Sequence, residues 1–281
     1  MNKFQPHIIP VYPPHNELIF EEWFAEEYKG CNTDRELLPV FFTSYWVNNN
    51  YGNDLKARGE LHEFLSIVDK SKKYFVPIQY DDGSMINWDS YGLDVLEFNM
   101  SKTNGIMLPL LCQPHPYTFS GGKKYLVNFI GSRTHPIRNE LEKYQGKEGW
   151  YISYERHEIE DYCRIISESV FTLCPRGYGT NSFRICESLQ YGSIPIYLSD
   201  SSNHVVPFNL NFYSIGLLLE GLHSGMLDVK IASLTPEQIA TFYENIPIVY
   251  NRYYTYGGCF NEIIKSLETE CDLRKEKGEV A

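Results

Sequence analysis

With 281 residues, 43% of them hydrophobic, the chain can build real cores in one large or two modest domains. A formal net charge of −11 argues against a nucleic-acid partner, whose phosphates it would repel. The opening MNKFQPHIIPVYPPH has no apolar run long enough for a signal peptide or a membrane anchor, so a soluble protein is expected. Seven cysteines lie scattered without C-x-x-C spacing, which predicts buried free thiols and a reducing, cytoplasmic setting. In that setting the sequon Asn99-Met100-Ser101 has no consequence. No internal repeat or low-complexity tract interrupts the chain.

In chain order, residues 1–16 are Pro-rich and read as extended. Asn16 to Tyr28 has helical spacing through Leu18, Phe24 and Tyr28, with Glu on the other face. Pro39 to Trp46 (PVFFTSYW) reads as a buried strand, and Asp54 to Asp69 as a helix turning Leu61, Phe64, Leu65 and Val68 inward. Lys73 to Gln79 is a strand that ends in the turn Asp81-Asp82-Gly83. Asp94 to Phe98 and Gly105 to Leu110 read as two more strands. Ser120 to Lys124 reads as a hinge, which divides the chain into residues 1–122, 123–250 and a C-terminal helix region 251–281. Tyr125 to Ile130 opens a second sheet, and Pro136 starts a helix carrying Ile137, Leu141 and Tyr144. Trp150 to Ser153 is a strand and Glu158 to Glu168 a helix. Asp200 to Pro207 is a loop, and Asn211 to Leu219 is a strand or an irregular segment. Thr235-Pro236-Glu237 starts a helix, Tyr253 to Thr269 is the last helix region, and the tail beyond Cys271 is charged. Strands alternating with helices predict open parallel α/β sheets.

The most informative stretch is Val170 to Leu198, VFTLCPRGYGTNSFRICESLQYGSIPIYL. It reads as strand, tight loop, helix, strand. Thr180, Asn181 and Ser182 are each credible N-caps, Phe183, Cys186 and Leu189 recur at helical spacing, and Gly192 ends the helix. A glycine-rich loop running into a helix N-terminus is a natural anion site. Arg176 and Arg184 flank it, and guanidinium groups grip phosphate oxygens in pairs. Glu187 lies deeper along the helix, where a carboxylate can accept hydrogen bonds from a ribose diol. A nucleotide fits this arrangement. An ordinary βαβ unit with solvated arginines is the plainer alternative.

Cys174-Pro175-Arg176-Gly177, Ser182-Phe183-Arg184, Glu187, Gly192-Ser193-Ile194-Pro195-Ile196 and Pro207-Phe208, in this order, resemble the donor half of the exostosin-type glycosyltransferases (glycosyltransferase family 47). Ser193 stands where that family often has Cys. Phe129-Ile130-Gly131 with Arg138 is similar to the stretch that opens the family's donor domain. The resemblance implies an α/β GT-B fold, two Rossmann-like domains with parallel sheets facing a central cleft. It implies a nucleotide sugar bound by Arg133, Arg138, Arg176, Gly177, Ser182, Phe183, Arg184 and Glu187, and an oligosaccharide or glycopeptide acceptor. Small, anchorless chains of this kind also resemble enzymes of large algal viruses. That likeness implies UDP-xylose as donor, a viral capsid glycan as acceptor and the host-cell cytoplasm as location.

Ligands of open α/β sheets bind beyond the carboxyl ends of the strands, which selects Asp81-Asp82-Gly83 in the first half. Tyr74-Phe75-Val76-Pro77 followed by Tyr80-Asp81-Asp82-Gly83 is similar to the strand and H-D-x-G turn of plant exostosin-type enzymes. The family histidine is Tyr80 here, so only Asp81 carries over. It is the expected general base, taking a proton from the acceptor hydroxyl in an inverting transfer. Asp82 is its rival, and His62 and His115 are lesser candidates. The chain has no D-x-D motif, so neither metal nor cofactor is expected, and the helix tip and arginines take the leaving-group charge. A retaining transferase and a non-catalytic nucleotide-sugar-binding partner subunit stay open as alternatives.

Overall fold

The computed structural model describes residues 2–7, 18–29, 31, 33–101, 105–200, 204–221 and 226–276. Most of the N-terminal segment expected to be extended, the first two residues of the helix expected from Asn16, part of the loop after Asp200 and the end of the tail lie outside these residues. The chain divides into two compact units: Met1–Leu108 with Tyr256–Ala281, and Pro109–Thr255.

The first unit holds a parallel sheet of β1 (Glu36–Leu37), β2 (Lys73–Pro77), β3 (Asp94–Asn99) and β4 (Ile106–Met107), in that order. Its helices are α1 (Phe20–Glu27), α2 (Phe42–Asn48), α3 (Leu55–Ser66) and, from the far end of the chain, α9 (Tyr256–Glu276). β2 is fully buried after its first residue, as a central parallel strand should be. The strand expected over Pro39–Trp46 is instead α2, whose residues Phe42 to Trp46 are all buried. A helix covered on every side leaves the same continuous apolar run as a buried strand, and periodicity cannot separate the two. α9 returns to α1 through Trp23, Phe24 and Phe260, and the Tyr256 hydroxyl donates to the Leu18 carbonyl at 3.2 Å. The C-terminal helix thus belongs to the first unit.

Two of the four glutamates of α1 do not face away from the core. Glu21 and Glu22 are buried, because backbone donors wait for them there. Glu21 accepts from the N–H groups of Gln79 (2.8 Å) and Thr43 (3.1 Å) and from the Thr43 hydroxyl, tying α1, α2 and the end of β2 together. Burial pushes its carboxyl up to about 7, against the pull of those donors. A carboxyl raised in the folded state stabilises fully below its ordinary value of 4.5, and that contribution is lost as pH rises through about 7. Wild type should therefore lose stability relative to Glu21→Gln between these limits, after which the difference levels off. Paired melting curves across pH test this. A difference that stays constant with pH would contradict it.

The second unit holds a five-stranded parallel sheet: β5 (Tyr125–Ile130), β6 (Trp150–Ser153), β7 (Ser169–Pro175), β8 (Ile194–Ser199) and β9 (Leu217–Glu220). Its helices are α4 (Pro136–Asn139), α5 (Ile159–Ser167), α6 (Phe183–Gln190), α7 (Met226–Ala232) and α8 (Pro236–Tyr253). The spatial order is β6-β5-β7-β8-β9, so the chain reverses direction across the sheet between β5 and β7. Ligands of such sheets bind at that switch point, beyond the carboxyl ends of the two strands. Asn211–Leu219 resolves into a short turn of 3-10 helix at Phe212–Ser214 followed by β9.

The segment read as a hinge is fastened into this unit. Lys123 donates to the carbonyls of Ser167 (2.9 Å) and Gly192 (2.8 Å), capping the ends of α5 and the turn after α6. Residues 109–122 accordingly lie with the second unit. The break falls at Leu108/Pro109 rather than 122/123, and the second break at Thr255/Tyr256 rather than 250/251.

Candidate active site

α6 starts where the sequence places it. Ser182 is the N-cap, with extended backbone (φ −146°, ψ 127°), but its hydroxyl makes no capping bond. The Ser182 Oγ is buried without a hydrogen-bond partner, and so is the Thr134 Oγ1. A buried hydroxyl left unpaired costs roughly 1–3 kcal/mol and calls for an explanation. Both lie on loops leaving the carboxyl ends of strands, beside the switch point: Thr134 after β5 and Ser182 after β7.

Two guanidinium groups bond the chain where it leaves β5 and β7. Arg138, buried, donates from Nε to the Arg176 carbonyl (2.8 Å) and from its other nitrogens to the Ser132 and Pro175 carbonyls (both 3.2 Å). Arg184, on the first turn of α6, donates from Nε to the Ile130 carbonyl (2.9 Å) and lies over the Phe129 ring. A Cβ on Gly131 would fall 2.0 Å from an Arg184 nitrogen, so a larger residue there would push the guanidinium aside. Among the described residues neither arginine has a carboxylate partner. Burial, and then the Arg184 charge, push the Arg138 guanidinium down to about 9. Two close cations held only by carbonyls and a ring leave an unbalanced positive field, which an anion would relieve.

Arg176 curls back over its own loop. It donates to the carbonyls of Gly179 (3.1 Å) and Tyr178 (3.2 Å) and pairs with Asp200 (2.8 Å). Gly177 packs beneath, where a Cβ would stand 3.3 Å from an Arg138 nitrogen. The loop is held from the other side by Tyr197 of β8, whose hydroxyl donates to the Thr180 carbonyl. Phe183 is half-buried at the first position of α6. Arg133 stands apart from Arg138 and Arg184. It is exposed, stacks over Tyr154 at 3.8 Å and pairs with Glu142 at 3.0 Å.

Glu187 is buried one turn deeper, and its oxygens are taken. The Tyr162 hydroxyl donates to one, and His115 Nε2 lies 3.2 Å from the other. Burial and the Glu187 charge raise the Tyr162 hydroxyl well above its ordinary value, so it remains a donor. Gln190 clasps the His115 backbone in both directions, at 3.1 and 2.8 Å. His115 is therefore tied to α6 rather than to the turn that carries Asp81. Sequence reading missed this network. Its one signal in the sequence is that Glu187 and Gln190 share a face of α6 while Tyr162 falls on the inward face of α5.

Asp81 and Asp82 belong to the first unit. They occupy a turn after β2, closed by a bond from the Gly83 N–H to the Tyr80 carbonyl (3.0 Å). Gly83 has φ +67°, and a Cβ there would press on Ser101, Glu97 and Asn99 at 3.2–3.4 Å. Glu97 is buried and accepts from Ser84 Oγ, Trp88 Nε1 (2.6 Å) and Asn99 Nδ2 (2.5 Å), giving the turn a rigid floor. Asp81 is half-buried. Asp82 is exposed and lines an open hollow of about 970 Å³ with Trp88, Asp89 and Asp94. His62 is engaged elsewhere on the first unit, hydrogen-bonded to the Tyr91 hydroxyl at 2.8 Å.

Residues 28–217, well over half of the chain, match the model of the exostosin GT47 domain. The chain belongs to the exostosin GT47 family. Within the family it is similar to the exostosin-1 homolog of Caenorhabditis elegans, 24% identical over 218 residues, covering 62% of this chain and 56% of the relative. It is also similar to ribitol-5-phosphate xylosyltransferase 1 of Homo sapiens, 31% identical over 87 residues, covering 26% of this chain and 20% of the relative. The chain spans at most about half the length of these curated relatives. Among solved structures, it is similar to TarM, with 10% identity, a TM-score of 0.41 and coverage of 74% and 53% of the two chains. It is also similar to WaaG, a glycosyltransferase of lipopolysaccharide biosynthesis, with 12% identity, a TM-score of 0.32 and coverage of 94% and 55%. The exostosin GT47 match spans both Asp81 and the whole loop from Pro175 to Ser182. No helix among the described residues of this family member is long and apolar enough to cross a membrane.

Proposed function

We propose that this exostosin-family chain is a GT-B glycosyltransferase that moves a sugar from a nucleoside diphosphate donor to a glycan hydroxyl. The observation that carries this reading is the carboxylate-free pair of buried Arg138 and half-buried Arg184 at the topological switch point, beside the unpaired Ser182 hydroxyl. The donor diphosphate supplies the missing negative charge and an acceptor for the hydroxyl. As the sugar departs, charge builds on the leaving phosphate oxygen, and donors already fixed in place stabilise it. Arg138 also holds the carbonyls of the loop, so the loop meets the ligand in a set shape.

The finer reading is inversion at the anomeric carbon, with Asp81 as base, UDP-xylose as donor and no metal. Xylose rests on the algal-virus likeness and on the name of the human relative, a xylosyltransferase. Metal independence rests on the absence of a D-x-D motif in the sequence and on the two arginines available for the diphosphate. The acceptor is then an oligosaccharide or glycopeptide, which for a viral enzyme is a capsid glycan built in the host cytoplasm. Proton NMR of the fresh product reads the anomeric configuration, and retention would remove the inverting step.

UDP alone should raise the melting temperature, and the shift should survive excess chelator. At about a hundred times its dissociation constant a ligand adds roughly 2.7 kcal/mol of stability. No shift with any nucleotide would overturn the donor reading. A shift abolished by chelator would overturn only its metal-free part.

A further inference from the structure

We propose that the Asp200 carboxylate stands in the place of a ligand phosphate, and that His135 and Arg176, which it now holds, form the second half of the anion site. This deepens the donor reading above and rests on it. Three strand ends converge here. His135 follows β5, Arg176 follows β7 and Asp200 follows β8. Arg176 NH1 lies 2.8 Å from one Asp200 oxygen and His135 Nε2 lies 3.5 Å from the other.

The orientation of the imidazole is set from behind. His135 is the N-cap of α4, and its Nδ1 accepts from the Ile137 N–H at 3.3 Å. The proton of the neutral ring therefore sits on Nε2, the nitrogen aimed at Asp200. The carboxylate is the accessible member of the trio. Its side chain is 47% exposed, against 18% for His135 and 17% for Arg176. An anion arriving from solvent meets two covered donors whose acceptor can swing away into water.

Arg176 joins the two halves. Its guanidinium holds Asp200, while its carbonyl is held by the buried Arg138. A carboxylate and a phosphate present the same oxygen pair to an arginine fork, so one can replace the other without rebuilding the loop. Asp200 then screens the site. A lone small anion gains little by displacing it, whereas a diphosphate that also reaches Arg184 gains both halves.

Calorimetric titration with inorganic pyrophosphate, UDP and uridine tests this on the full chain. Asp200→Asn should tighten pyrophosphate and UDP by about three- to tenfold, the effect of removing one partly screened like charge, and leave uridine unchanged. His135→Gln should weaken pyrophosphate, and the double variant should lose the gain. A carboxylate that merely braces the loop predicts the opposite sign. Unchanged or weaker pyrophosphate binding in Asp200→Asn, with Asp200→Ser as a second variant if melting reveals a damaged fold, overturns the proposal. Wild type that binds pyrophosphate but no nucleotide sinks the donor reading instead, and leaves the exchange at Asp200 decided by the same variants.

Discussion

Asp81→Asn is expected to bind donor with near-normal affinity and to transfer sugar roughly 10²–10⁴-fold more slowly, the usual cost of removing a general base. The donor residues lie in the second unit and Asp81 in the first, so the substitution alters none of the side chains assigned to the diphosphate. The turn itself should persist. Its shape comes from the Tyr80–Gly83 bond, the left-handed Gly83 and the Glu97 floor, none of which uses the Asp81 carboxylate. The loss should fall on turnover rather than on donor KM. Asp82→Asn is the control. Its exposed side chain lines the hollow beside Trp88, where it can affect acceptor KM but should leave turnover near normal. Collapse in Asp82→Asn with normal turnover in Asp81→Asn would move the base one residue along. Full activity in both would remove the turn from the chemistry. His62 would then be the next residue to test, since His115 is buried against Glu187.

Arg184→Ala should weaken UDP and inorganic pyrophosphate together, by at least tenfold. A hydrogen bond to a charged group is worth about 1.5–3 kcal/mol, and each 1.4 kcal/mol is a factor of ten. The fold should survive. Arg184 bonds one carbonyl, and its removal relieves the repulsion that adds to burial in depressing Arg138. A melting temperature equal to or above wild type, with lost ligand binding, is the expected pairing. Retained pyrophosphate affinity would break the link between the paired arginines and the diphosphate. Glu187→Ala provides the contrast. The ribose role predicts weaker UDP with pyrophosphate unchanged, and requires Glu187 to exchange a partner for the sugar. Because Tyr162 and His115 hold both oxygens, Glu187→Ala should also lower stability, which Arg184→Ala should not. Equal losses of UDP and pyrophosphate in Glu187→Ala would contradict the ribose role.

Much of this geometry was legible before any coordinate. The strand, loop, helix and strand of residues 170–198 appear as β7, α6 and β8, with Ser182 at the cap. Those features are local. A cap, a glycine after a helix and an apolar period each depend on residues within a turn or two of one another. Pro39–Trp46 reads as a strand yet folds largely as a helix, because burial erases the period that distinguishes the two. Glu21 and Glu22 were placed outward because charge is a good guide to exposure only where no buried donor awaits it.

The sequence by itself determined the βαβ frame, the glycine-rich loop between two arginines and the turn that carries Asp81, because each is written in neighbouring residues. Tertiary structure alone decided what the side chains do. Arg138 became the clamp of a loop 38 residues away, Glu187 met His115 across 72 residues, and Asp200 came to cover Arg176 across 24. It also sent the C-terminal helix back to the first unit. These partners meet only after the strands have paired in the order β6-β5-β7-β8-β9, and a buried charge takes whichever partner that pairing brings within reach.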